Sequence, residues 1–281
     1  MFDYQSYLRL NHFPLIWCPG CGNGVVMKSL LRAIDNLRLA RDQVCVVSGI
    51  GCSSRLSGYL DFHTVHTTHG RALTFATGIK MAKPELTVIV VTGDGDCTAI
   101  GGNHFIHAAR RNIDLTVILI NNLIYGMTGG QHSPTTPSGS RASTAPYGNS
   151  ENTFNVSGLA IAAGASFVAR STTYHAQQCD KLIERGIQTP GFALIEIMAA
   201  CPTSFGRANK AGSPADMMLW QRDHAVTAQR AEKMSPEELQ DKFAIGVLAA
   251  GLLRFPWWLV APLTFVSMAI EWGLREVWHR P

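Results

Sequence analysis

Gly93-Asp94-Gly95-Asp96 follows the apolar run 86–92 and leads into a further glycine-rich stretch. Glycines let a backbone come close to a phosphate. A helix start behind them offers free N–H groups and a positive dipole end. A carboxylate in such a turn would repel a bare phosphate, so it calls for an intervening cation. Mg²⁺ is the usual bridge between carboxylate and diphosphate. Asn121-Asn122 end the next apolar run, with 25 residues between Gly95 and Asn121. An asparagine oxygen there completes a cation's oxygen shell without adding charge. A second reactive set is made of sulfur. Cys18-Pro19-Gly20-Cys21 is a CxxC; 30 residues separate Cys21 from Cys52, and 148 more separate Cys52 from Cys201. Four thiolates suit a [4Fe–4S] cluster or a structural zinc ion, and the CxxC alone suits a redox dithiol. The spacings leave iron–sulfur and zinc open. Cys45, Cys97 and Cys179 read as small buried apolar residues.

These groups are far apart in sequence and need a scaffold that gathers them. The pattern supplies one. Short apolar runs at 43–51, 86–96, 114–122, 164–170 and 192–199 read as strands, and amphipathic stretches at 22–39, 70–83, 101–112, 156–163 and 175–187 read as helices. Alternating strands and helices predict an α/β fold, a parallel sheet with helices on both faces. About five core strands are expected, with one long functional loop over 123–155, rich in Gly, Ser, Thr, Pro and Asn. Ligands of such sheets sit beyond the carboxyl ends of the strands. Gly51-Cys52, the Gly93–Asp96 turn, Asn121-Asn122 and Cys201 all fall at those ends, so they are expected along one rim.

Composition narrows the class. The chain has 281 residues, 46% hydrophobic and 16% charged. These figures exclude a coiled coil, a collagen-like repeat and a disordered chain. A net charge of +4 without a long run of like charges gives no reason to expect nucleic acid. The first residues show no secretory leader pattern, so reduced thiols and a cytoplasmic setting are expected.

The GDG turn followed by NN on the next strand end resembles the thiamin diphosphate (ThDP) fingerprint. By that resemblance Asp94 and Asn122 are side-chain ligands of Mg²⁺, and Ile124 offers its main-chain carbonyl. Gly93, Gly95 and Asp96 would line the diphosphate. The stretch from Tyr125 and Gly126 through Thr128 would supply hydroxyl and N–H donors. A ThDP site beside the cysteines favours iron–sulfur, because a ThDP-stabilised carbanion gives up electrons singly and zinc cannot accept them.

Taken together, WCPGCGNG, GIGCSSR, HTTHGRALTFATGIK, the stretch from VVTGDGD to LINN, TGGQ and CPTSFGRANK resemble the β subunit of 2-oxoacid:ferredoxin oxidoreductases, most similar to the 2-oxoglutarate type. The resemblance covers residues 5–248. It implies a ThDP-binding (PP-type) domain carrying ThDP, Mg²⁺ and a [4Fe–4S] cluster on Cys18, Cys21, Cys52 and Cys201. It also implies an α subunit, in an αβ or (αβ)₂ assembly. The reaction would turn a 2-oxoacid, coenzyme A and oxidised ferredoxin into acyl-CoA, CO₂ and reduced ferredoxin. Arg55 is expected to hold the distal carboxylate of 2-oxoglutarate. His69 is expected at the reacting carbonyl or diphosphate, and Arg71 at the diphosphate or substrate carboxylate. Gly51 and Cys52 should flank the cofactor. Arg207, Asn209 and Lys210 offer a basic patch to an acidic ferredoxin. The glutamate that activates ThDP lies on the partner in this family; Glu85, Glu151 and Glu196 are the nearest local carboxylates. A pyruvate-type enzyme, a non-redox ThDP decarboxylase or synthase, and a zinc-stabilised assembly or electron-transfer subunit are the competing readings.

The resemblance fades after Leu248. Residues 249–281 form a hydrophobic tail with 16 mostly apolar positions at 255–270, flanked by Trp257, Trp258, Trp272 and Trp278. That is short for a full membrane span. It reads equally as a membrane-associated segment or as a clasp on the α subunit. The catalytic domain is expected at 1–248.

Overall fold

A computed structural model describes residues 2–251. The strands are β1 (Val44–Ser48), β2 (His63–His66), β3 (Thr87–Gly93), β4 (Leu115–Asn121), β5 (Phe167–Thr172), β6 (Phe192–Met198), β7 (Ala225–Thr227) and β8 (Phe243–Ala250). The helices are α1 (Asn23–Asn36), α2 (Leu56–Tyr59), α3 (Ala72–Ala82), α4 (Gly102–Arg110), α5 (Val156–Ala162), α6 (Ala176–Gln188), α7 (Arg207–Asn209) and α8 (Pro214–His224).

The five central strands are mostly buried along their length, and β1, β3 and β4 are rich in Val, Ile and Leu, because both faces of the sheet are covered. Val46, Ile89, Ile118 and Ile195 face one core, packed under α1 and α6. Their neighbours Val47, Val90, Val117 and Leu194 face the other, under α3, α4 and α5. The sheet order is β2-β1-β3-β4-β6-β5-β8-β7. Pairings from β2 to β5 are all parallel, as expected from the βα alternation.

The sheet exceeds the expected five strands by three, all at its edges. His63–His66 is short and polar, and its exposed edge needs no apolar alternation. β7 has only three residues. β8 runs antiparallel to β5, which corrects the expectation of a wholly parallel sheet. It lies where the family resemblance thins, with Gly246 at φ +103 breaking its pattern. β8 carries the sheet to Ala250. The membrane or interface reading of the tail rests on residues 252–281, which lie outside the described residues. Among the described residues no helix is long and apolar enough to cross a membrane.

Candidate active site

The strand ends do gather along one rim, and backbone bonds hold them there. Thr67 N donates to the Ser48 carbonyl at 2.8 Å, Ala199 N to Asn121 at 2.9 Å, and Gly22 N to Ala200 at 3.4 Å. A cavity of about 340 Å³ opens on this rim. Gly51, Cys52, His69, Gly93, Asp94, Gly95, Asp96, Asn122, Ile124, Tyr125, Gly126 and Thr128 all line it.

Three oxygens meet at its floor. The amide oxygen of Asn122 stands 3.3 Å from Asp94 Oδ1 and 2.6 Å from the Ile124 carbonyl. An acceptor facing two acceptors needs either a rotated amide or a cation. Octahedral Mg²⁺, with ligands at about 2.1 Å, spaces neighbouring oxygens about 3 Å apart. The three oxygens bracket that spacing. Leu123, between two of the donors, adopts φ +65, a conformation uncommon for a residue with a Cβ. That turn brings the Ile124 carbonyl back onto the Asn122 side chain.

Asp94 is 2% exposed. Burial pushes its carboxyl up from the ordinary value, although hydrogen bonds from Ser133 and Thr135 pull the other way. Ser133 Oγ donates to Asp94 Oδ2 at 2.5 Å and Thr135 Oγ1 does so at 2.7 Å. A bound cation is the counter-charge that would keep this carboxylate ionised. Neither hydroxyl was foreseen from sequence. They sit in the irregular 123–155 loop, where no periodicity marks which residue faces inward.

Asp96 has other work. Its Oδ1 accepts from His69 Nδ1 at 2.6 Å, Gly70 N at 2.8 Å and Ile50 N at 3.2 Å, and its Oδ2 from Thr92 Oγ1 at 2.8 Å. It therefore staples three loops together while lining the cavity wall. Its bond also fixes the His69 ring, with Nδ1–H on the carboxylate and Nε2 left free. Tyr125 lies edge-on to His69 at 6.0 Å and donates its hydroxyl to the Gly95 carbonyl at 3.0 Å. A Cβ at Gly95 would stand 2.3 Å from the Tyr125 ring, so only glycine lets the turn pass beneath it. Burial, with Asp94 and Asp96 nearby, pushes the Tyr125 hydroxyl up to about 12 and keeps it a donor.

The two arginines stand apart from the cavity wall. Arg55 is exposed, beside Cys52 and His66. Arg71 turns back and donates to the Ile100 carbonyl at 3.2 Å. Glu85 and Glu151 are exposed, and Glu196 is buried against Arg170. None of the three lines this cavity.

The cysteines converge beside it. A Cβ built on Gly126 would lie 3.4 Å from the Cys201 sulfur and 3.6 Å from the Cys52 sulfur, so both thiols look onto that backbone. Trp17 Nε1 donates to the Cys52 carbonyl at 2.7 Å and so ties the CxxC loop to the rim. A Cβ on Gly22 would meet Ala199 at 2.9 Å, which lets α1 start against the Cys201 segment. All four thiols are free. Cys18, Cys52 and Cys201 each bear electrostatically on Cys21. Burial pushes the Cys21 and Cys52 thiols up to about 11, so a metal must displace their protons. Among the described residues no three His, Cys, Asp or Glu side chains close on a single ion. Arg207 and Lys210 are exposed beyond Cys201, and Asn209 is spent on the Arg141 backbone.

Known proteins resemble the chain in sequence and in fold. Residues 49–197 match the thiamine pyrophosphate enzyme family, C-terminal TPP binding domain. The chain is 55% identical over 246 residues to the 2-oxoglutarate synthase subunit KorB of Methanocaldococcus jannaschii, covering 88% of this chain and 91% of that one. It is 42% identical over 234 residues to the 2-oxoacid:ferredoxin oxidoreductase subunit beta of Saccharolobus solfataricus, covering 83% and 76%. The fold superposes on a 2-oxoglutarate:ferredoxin oxidoreductase from Magnetococcus marinus, solved with 2-oxoglutarate, coenzyme A and succinyl-CoA bound. That match has a TM-score of 0.81 and 30% identity, and covers 100% of this chain and 97% of the other. On these grounds the chain belongs to the thiamine-pyrophosphate-binding β subunits of the 2-oxoacid:ferredoxin oxidoreductases.

Proposed function

We propose that the chain carries the reaction centre of a 2-oxoglutarate:ferredoxin oxidoreductase, with ThDP, Mg²⁺ and a [4Fe–4S] cluster bound along one rim. The observation that supports this reading most is the gathering of Asp94, Asn122 and Ile124 on one cavity, a few residues from the backbone that Cys52 and Cys201 face. When bound, ThDP supplies a nucleophilic carbon that takes up the electrons freed with CO₂, and the cluster accepts them one at a time.

The chain's own groups do the rest. Asp94, Asn122 and the Ile124 carbonyl would hold Mg²⁺ against the diphosphate. Gly93 and Gly95 would bring backbone close to it, with the Tyr125–Thr128 loop on the other side of the cavity. His69, oriented by Asp96, presents Nε2 for a proton at the reacting carbonyl. Cys18, Cys21, Cys52 and Cys201 would each hold one iron. A redox cluster fits the neighbouring ThDP site better than zinc, which cannot accept electrons. Arg55 and Arg71 remain candidates for the substrate carboxylate, to be brought in at the assembled interface. The α subunit would supply the activating carboxylate that none of Glu85, Glu151 and Glu196 offers. Exposed Arg207 and Lys210 would face ferredoxin, and coenzyme A would take the acyl group.

The test is anaerobic co-purification with the α subunit, analysis of iron, sulfide and ThDP, and a panel of 2-oxoacids with a dye acceptor. Four irons and one ThDP per chain, with turnover fastest on 2-oxoglutarate, are expected. Cys52→Ser should lose iron and dye reduction while keeping ThDP. Zinc in place of iron, or a Cys52→Ser enzyme with unchanged dye reduction, would overturn the redox reading. Preference for pyruvate would overturn the substrate alone.

A further inference from the structure

We infer that Glu196 is a positioning residue for the cation site, acting through Asn121 on Asp94, by way of Thr135, and on the Ile124 carbonyl, by way of Leu123. This rests on the Mg²⁺ reading given under Proposed function.

Glu196 lies in β6, beside Asn121 at the end of β4. Its Oε1 accepts from Asn121 Nδ2 at 2.8 Å. That bond decides which way the Asn121 amide faces, with nitrogen toward Glu196 and oxygen toward the loop. Asn121 Oδ1 then accepts from Leu123 N at 3.2 Å and shares the single Thr135 hydroxyl hydrogen, at 2.9 Å, with Asp94 Oδ2. Leu123 is the residue whose left-handed turn presents the Ile124 carbonyl. Thr135 Oγ1 lies 2.7 Å from Asp94 Oδ2. One amide therefore touches both sides of the cation site: the turn that aims Ile124 and the hydroxyl that braces Asp94.

The far end of the chain is anchored. Glu196 Oε2 accepts from Ser157 Oγ at 2.5 Å and from Arg170 Nε at 2.9 Å. Asp94, Asn121, Thr135 and Glu196 are all at most 3% exposed. A flipped Asn121 amide would set its NH₂ against the Leu123 N–H and leave Glu196 facing an oxygen. Buried donors and acceptors do not tolerate that exchange. Groups of this kind, once removed from the ligands themselves, typically alter metal affinity by about 10- to 100-fold.

The experiment measures ThDP binding to the chelator-stripped αβ complex by equilibrium dialysis at increasing Mg²⁺, with no turnover involved. Glu196→Gln and Asn121→Ala should each raise the Mg²⁺ needed for half-saturation at least tenfold, and excess Mg²⁺ should restore full ThDP binding. The double variant should be no worse than the weaker single one, because both cut the same chain. Ser157→Ala removes a Glu196 bond on the side away from Asn121 and should stay within twofold. A folded Glu196→Gln or Asn121→Ala complex with unaltered Mg²⁺ dependence overturns the inference, as does an additive loss. If Glu196→Gln does not fold, Asn121→Ala decides. Should the unmodified complex bind ThDP without Mg²⁺, the cation reading falls and this inference with it. Should only the variants match the unmodified complex, the cation reading stands and the positioning role alone is lost.

Discussion

Asp94, just past β3, and Glu196, within β6, are two buried carboxylates on either side of β4, 2% exposed each, and they have opposite electrostatics. Around Glu196 everything is matched. Burial alone would push its carboxyl up, but Arg170 and the bonds from Ser157 and Asn121 hold it below the usual range. Around Asp94 the donors are two hydroxyls and backbone, with no cationic side chain bonded to it among the described residues, and its carboxyl is pushed up. The first region is a closed structural knot. The second lacks one positive charge, in a cavity whose other oxygens also face inward. The Mg²⁺ proposed at Asp94 would supply there the charge that Arg170 supplies at Glu196.

The closed knot is where this contrast breaks most readily. Glu196→Ala strands the Arg170 guanidinium and should cost about 3–5 kcal/mol of folding stability; urea denaturation of the complex measures it. Asp94→Asn should do the reverse to the metal-free fold, leaving it as stable or more so. The same substitution should weaken Mg²⁺-dependent ThDP binding about 100-fold or more, read by dialysis. A destabilised, ThDP-competent Asp94→Asn complex would erase the distinction. Thr135→Val tests the brace and not the ligand. It should raise the Mg²⁺ requirement about tenfold and leave ThDP capacity intact.

The pH dependence sharpens the contrast further. The metal-free fold keeps the Asp94 proton longer than the unfolded chain does. Its stability therefore falls as pH rises from the ordinary carboxyl value of 3.8 through the raised folded value. Glu196 works the other way, contributing stability above 4.5 that is lost as pH falls through its lowered folded value. Where the folded and unfolded titration midpoints lie one pH unit apart, the stability at stake is about 1.4 kcal/mol. Denaturation of the chelated protein across pH should show the upper slope disappear with Mg²⁺ or in Asp94→Asn. The lower slope should disappear in Glu196→Gln.

Much of this arrangement is legible in the sequence, for a physical reason. Buried parallel strands must be β-branched and apolar, so β1, β3, β4, β5 and β6 announce themselves. A glycine–aspartate turn and an asparagine pair at their ends are then placed on one rim by topology alone. The edge strands β2, β7 and β8 escape because short or glycine-broken edges have no such pattern. Ser133 and Thr135 escape because they contact Asp94 across about forty residues of chain, and within the irregular 123–155 loop nothing local distinguishes them from Ser138 or Ser140. The closeness of Asp96 to His69 escapes too. The GDGD spelling puts both aspartates on one turn, and only the fold shows that Asp94 faces the cavity oxygens while Asp96 knits loops.

The strand ends that line the cavity all leave the same side of the sheet. The turns entering β1, β3, β4 and β6, at 37–43, 83–86, 111–114 and 189–191, lie a full strand length from the cofactor cavity. The side of those turns is where lineages can lengthen or shorten the chain, and where an affinity handle or reporter can be spliced in, without disturbing catalysis.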